Sequence, residues 1–162
     1  MKIPYLSLAA ENGHADIAKF LIPFVENPNA LDQDGWTPIY FAANDGHLDV
    51  LKLLVPLYEN FNDPINGSIC KGSTPLETAL ESYIAYPSQG GYEVIKYLAP
   101  LCASTVRYLI REAASDTNTK YSDQILVGQT YMLELLASFI ENPNAPDAKG
   151  WTTIHMSAKS GR

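Results

Sequence analysis

Residues 32–54 read DQDGWTPIYFAANDGHLDVLKLL, and each part of this stretch has a local physical reading. Thr37 opens an apolar segment as an N-cap hydroxyl would, taking up one of the amides a helix start leaves unpaired. Pro38 follows at the first helical position, where a missing N–H costs nothing. Ile39, Ala42 and Ala43 predict a short helix whose small residues allow close packing. Gly46 should end it, where a left-handed residue is wanted. Residues 48–54 are apolar around much of the helical surface, as in a helix sandwiched between neighbours. Pro56, just beyond, should terminate or kink this second helix. Asn-Pro, Asp and Gly then make a turn-rich connector.

Working outward, the same pattern returns. Shifted by 33 residues, Ala9, Ala10, Gly13, His14, Asp16, Lys19, Leu21 and Pro23 fall on Ala42, Ala43, Gly46, His47, Asp49, Lys52, Leu54 and Pro56. Residues 26–46 and 141–161 are identical at 12 of 21 aligned positions, where chance would give about one or two. A third copy starts at Gly72-Ser73-Thr74-Pro75-Leu76 and resumes at Gly90-Gly91-Tyr92-Glu93-Val94, with insertions before and within it. Thr74 and Thr152 repeat the cap of Thr37, and Gly90 the stop of Gly46. Pro100 repeats Pro56. Periodicity of this length marks a stacked repeat architecture.

The run Asp32-x-x-Gly35-x-Thr37-Pro38-Ile39-x-x-Ala42-Ala43-x-x-Gly46-His47-x-Asp49-Val50-x-x-Leu53-Leu54 resembles the ankyrin repeat almost position for position, and the period agrees. The resemblance implies an all-α solenoid of stacked helix-turn-helix units with short β-hairpin fingers. About five copies are expected: 1–31 partial, 32–66, 67–103, 104–146 irregular and 147–162 partial. In the irregular copy, Val106–Ala114 reads as a degenerate first helix. Ser122 reads as the cap of a long second helix reaching Ile140. Both ends are cut within a repeat, so a fragment of a longer array is expected, the sharper alternative being end-to-end self-association through the open terminal copies.

Composition narrows the function. Apolar residues make up 46% of the chain, enough to bury a core. A formal charge of −7 opposes nucleic acid and anionic membrane as partners and favours a basic protein. The opening residues 1–10 are needed by the repeat and are not read as a leader. Cys70 and Cys102 stand in no metal-ligand spacing and point to a reduced cytoplasmic or nuclear setting. The glycines form no phosphate loop, no serine sits in a nucleophile elbow, and no carboxylates pair as an acid and a base. Neither a cofactor nor a metal nor catalysis is expected. The competing expectation is an array that only localises a catalytic part lying outside these residues.

Members of the resembled family bind other proteins through finger tips and the concave face of the first helices. Carried over by position, the partner-binding residues are Gln33, Asp34, Trp36, Phe41, Asn44 and Asp45 in copy two. In copy three they are Lys71, Ser73, Thr78, Glu81 and Ser82, and in copy five Lys149, Trp151, Met156 and Lys159. Trp36 and Trp151 serve either as anchors for a partner or as braces between neighbouring fingers. His14, His47 and His155 fall in slots that resemble structural hydrogen-bonding positions between adjacent repeats. Tyr40 and Glu77 replace the histidine in the slot of His155, which predicts a weakened network in the middle copies. Asn29, Asn62 and Asn144 each lie eight residues after a leucine, resembling the pattern read by the asparaginyl hydroxylase of ankyrin repeats. The inserts at 78–91, rich in tyrosine, and at 115–130 read either as spacers or as carriers of specificity.

Overall fold

The computed structural model describes residues 5–61, 73–103, 105, 106, 109, 136–138, 142, 146, 150 and 152. It divides into two compact units, Met1–Leu98 and Ala99–Arg162. Helices alternate with turns in the order α1 (Tyr5–Glu11), α2 (Ala15–Leu21), α3 (Pro38–Asn44), α4 (Leu48–Leu54), α5 (Pro75–Ala85) and α6 (Gln89–Leu101). No strand occurs among the described residues.

Within the first unit, α3 packs between α1 and α5, and α2 packs on α4. This is the expected stack of helix pairs. Fully buried alanines make the approach possible: Ala9 and Ala10 on α1, Ala42 and Ala43 on α3, and Ala79 on α5. Leu6, Ile39, Val50, Leu51, Leu54, Leu76, Val94, Ile95 and Leu98 fill the remaining core, each large side chain stabilising by about 1.5–3 kcal/mol. Pro23 and Pro56 end their α-helices as expected, each inside a single 3-10 turn (Ile22–Phe24 and Val55–Leu57). Pro100 instead lies inside the last turn of α6.

The turns decide how closely neighbouring copies approach. Gly13 and Gly46 take φ of 69° and 76°, the left-handed conformation expected of them. They also leave room for a neighbour: a Cβ on Gly13 would lie 2.6 Å from Nδ1 of His47, and one on Gly46 would lie 2.6 Å from the backbone nitrogen of Gly91. Gly90 departs from expectation. It sits in the first turn of α6 rather than at the end of α5, and its role is close approach, since a Cβ there would meet the Gly46 carbonyl at 2.6 Å. The reason is how the insert is spent. α5 runs for 11 residues against 7 in α3, and α6 begins three residues before Tyr92, the match to Leu48. Ser88 starts α6, its Oγ accepting from the Gly91 amide at 3.0 Å.

Among the described residues, side chains of one copy tie to the backbone of the next. His47 Nε2 lies 3.0 Å from the Glu11 carbonyl oxygen; because a carbonyl only accepts, Nε2 carries the proton. The Tyr40 hydroxyl donates to the Ser73 carbonyl at 2.6 Å, in the interior. The Tyr58 hydroxyl donates to the Pro28 carbonyl at 3.3 Å. The expectation that Tyr40 and Glu77 weaken the inter-repeat network therefore needs correction. Tyr40 is long enough to span a full period itself, and Glu77 serves its own helix.

That service separates Thr74 from Thr37. Thr74 forms a capping box: its amide donates to Glu77 Oε2 at 2.6 Å and its Oγ1 accepts from the Glu77 amide at 3.3 Å. Thr37 holds the N-cap position without a side-chain cap, contrary to expectation. Here the amide of the third helical residue, Tyr40, already donates to the Thr37 carbonyl at 3.0 Å in a tightened first turn. Thr37 Oγ1 is buried and lies beside the Tyr58 phenol. Thr152 is half-buried, and the helix expected after it lies outside the described residues.

In the second unit Cys102 is a buried free thiol, pushed up to about 12 by burial. The amide of Val106, also buried, donates to the Cys102 carbonyl at 3.0 Å. Leu136 is buried, and residues 136–138 are helical. Most of the helix expected over Val106–Ala114, and of the one from Ser122 to Ile140, lies outside the described residues.

Two measurements test these contacts. Thr74→Ala should lower stability by about 1 kcal/mol through the lost cap, whereas Ser7→Ala should not lower it, because Ser7 Oγ is buried without a partner; urea midpoints compare them. Burial pushes the Tyr58 phenol up to about 12, so the folded state holds its proton longer than the unfolded chain does. Tyr58 then adds no pH dependence below about 10, and stability falls as pH rises from about 10 to about 12. Tyr58→Phe should flatten that fall in alkaline melting curves.

Candidate functional site

The finger of copy two is built by one carboxylate. Asp32 Oδ1 accepts from the amides of Asp34 at 2.9 Å and Trp36 at 2.8 Å. The Asp32 amide donates to the Trp36 carbonyl at 2.8 Å, closing the reversal like a one-rung hairpin. Gly35, at φ 83°, supplies the left-handed corner, and its amide donates to the Asp32 carbonyl at 3.2 Å. An aspartate that bonds amides two and four residues ahead is an Asx-type turn.

This lock sets Trp36 at the foot of the finger, against the first turn of α3. Its ring centroid lies 5.1 Å from that of Phe41, tilted by 36°, and 6.4 Å from that of Tyr40, edge-on at 74°. Tyr40 is buried, while Trp36 and Phe41 remain half-buried. The indole thus packs on its own copy's helix; the neighbouring finger, 62–72, lies outside the described residues. Gln33, Asp34 and Asp45 are exposed, and Asn44 is half-buried with its Nδ2 donating to Asp45 Oδ1 at 2.8 Å.

Copy three divides the sequence-derived residues differently. Glu81 and Ser82 are half-buried on α5. Ser73 and Thr78 are corrections, since both are buried. The carbonyl of Ser73 holds the Tyr40 hydroxyl, and Thr78 sits one helical turn past Thr74 on the packed side of α5, beside buried Ala79. Neither presents a surface. Lys71, Lys149, Trp151, Met156 and Lys159, with His155, lie outside the described residues. His47 makes the structural hydrogen bond expected of its slot; His14, in the matching slot, is exposed.

The sequence reading missed Asp32 as the element that holds the finger. The signal was present: an aspartate three residues before a glycine, within turn-forming composition.

Charge is sorted by element. Each second helix pairs an acid with a base three residues on: Asp16 and Lys19, Asp49 and Lys52, Glu93 and Lys96. Segments 31–47 and 73–88 carry Asp32, Asp34, Asp45, Glu77 and Glu81 but no lysine or arginine. Among the described residues no group of His, Cys, Asp and Glu is placed to hold a metal ion. None of the described helices is long and apolar enough to cross a membrane.

A family model for ankyrin repeats in three copies matches residues 6–121. The chain belongs to the ankyrin repeat family. No curated protein matches it. Ankyrin arrays are in general protein–protein interaction modules and typically non-catalytic, and the helix pairs α1–α2, α3–α4 and α5–α6 supply three stacked units within the matched stretch.

If Asp32 holds the ankyrin finger, Asp32→Ala should release Trp36. In a Trp151→Phe background, its fluorescence should shift to the red and the Trp36 amide should exchange faster. The melting temperature should change little, because the turn lies outside the packed helices.

Proposed function

We propose that this array binds another protein through the copy-two finger and the accessible side of α3. Trp36 and Phe41 act as the apolar anchor, and the acidic side chains around them select a basic segment. The observation that carries the reading is the Trp36–Phe41 pair, 5.1 Å apart and half-buried, beside a finger locked by Asp32. Aromatic anchors in such positions dominate binding energy at interfaces. The sorting of charge supports the partner's sign, since Asp34 and Asp45 lie on finger and turn, and segments 31–47 and 73–88 carry acids but no lysine or arginine. Gln33 and Asn44 supply hydrogen-bonding groups at the rim, and Glu81 and Ser82 extend the surface onto copy three. Residues 104–162 form an irregular fourth and a partial fifth copy in this reading, with Lys149, Trp151, Met156 and Lys159 continuing the surface. The array acts without chemistry of its own, in the cytoplasm or nucleus.

Panning a random peptide library against the chain tests this. Selected sequences should be enriched in lysine and arginine. The Trp36→Ala/Phe41→Ala double variant should bind them at least about tenfold more weakly, and binding should weaken with added salt. Acidic or uncharged selections, or unchanged affinity in the double variant, would count against it.

A further inference from the structure

The first helices lie side by side, α3 packing between α1 and α5, and two rows of side chains cross them at matched repeat positions. In the apolar row, Leu8 on α1 is 45% exposed, and Phe41, its match on α3, is half-buried against Trp36. Phe41 keeps this accessibility with a helix packed on either side of its own, so the slot is open even between neighbours. The row stops at copy three, where Thr78 takes the slot and is buried. One helical turn further on, Glu11, Asn44 and Glu81 match one another on α1, α3 and α5, and all three are half-buried. A line of two carboxylates around an amide therefore runs beside a line of two apolar groups.

Both rows advance once per helix, and packed helices lie about 8–10 Å apart. A polyproline II segment returns to the same face at every third residue, after about 9 Å. A β-strand returns after about 7 or 13 Å and misses the interval. An α-helix meets it only at every seventh residue, about 10.5 Å along, and leaves its intervening turn without a matching row. Resting on the finger reading above, we propose that the bound basic segment is a polyproline II stretch crossing the first helices, with apolar side chains at positions i and i+3. One of these packs on Phe41 and Trp36, the other on Leu8. Lysine or arginine on the adjoining face of the segment, recurring at the same interval, meets Glu11 and Glu81. A polyproline II backbone makes no hydrogen bonds of its own, and Asn44, between the two glutamates, offers it a side-chain partner.

The probe is a fluorescein-labelled peptide of four tandem Lys-Pro-Leu units, titrated into the full chain by fluorescence anisotropy. Two comparison peptides carry the same number of lysines and leucines. In one, of the same composition, the leucines stand two and four residues apart; the other is an alanine-based helix with leucine at every seventh residue. The first peptide should bind at least about tenfold more tightly than either. Leu8→Ser, an exposed substitution checked for folding by circular dichroism, should weaken that binding by at least about threefold. Glu11→Gln/Glu81→Gln should weaken it and reduce its sensitivity to salt. Equal binding of the respaced peptide, tighter binding of the helical one, or indifference to Leu8→Ser would overturn the inference. In each of those cases a loss on Trp36→Ala/Phe41→Ala would leave the finger reading standing. Binding unchanged in that double variant would remove the finger reading and this inference together.

Discussion

The imidazole of His47 occupies the space that a side chain on Gly13 would fill, and this close approach of turns is what the stack depends on. A helix pair of seven-residue helices cannot bury enough apolar surface by itself. It becomes stable only when a neighbour seals it, and the neighbour must come near enough for alanines to touch. Gly13 and Gly46 permit that distance, and Gly90 permits it again between copies two and three. Where the backbones come close, their polar groups must be satisfied, and side chains from the next copy reach across to do so.

The ties vary in chemistry while keeping one geometry. A histidine, a buried tyrosine and a half-buried tyrosine each reach a backbone carbonyl in a neighbouring copy. Backbone carbonyls are present at every register position, so a change of side chain in one copy does not require a compensating change in its neighbour. That freedom explains how an array keeps its spacing while its sequence drifts. It also explains why surface residues on fingers and first helices can diverge without disturbing the stack.

The insert in copy three follows the same economy. One added turn in α5 and an earlier start for α6 take up the extra residues as helix. Tyr86, which ends α5 with its amide on the Ser82 carbonyl, is exposed. The register is recovered by α6, where Val94, Ile95 and Leu98 are buried. Length is thus absorbed at the turn end of the pair, away from the capping box that starts it.

The sequence by itself determined the repeat, its period, the helix pairs, the proline stops at 23 and 56 and the left-handed glycines at 13 and 46. These rest on local chemistry: caps, missing donors, positive φ and apolar spacing are properties of a few consecutive residues. It also placed Trp36, Phe41, Gln33, Asp34, Asn44 and Asp45 together on one finger and helix, because they are close in the chain. Only the tertiary structure decided the rest. Ser73 and Thr78 share register with surface positions yet are buried, because the Tyr40 hydroxyl reaches Ser73 and the lengthened α5 packs beside α3. Contacts a full period apart depend on side-chain reach across packed neighbours, and no local pattern encodes that reach.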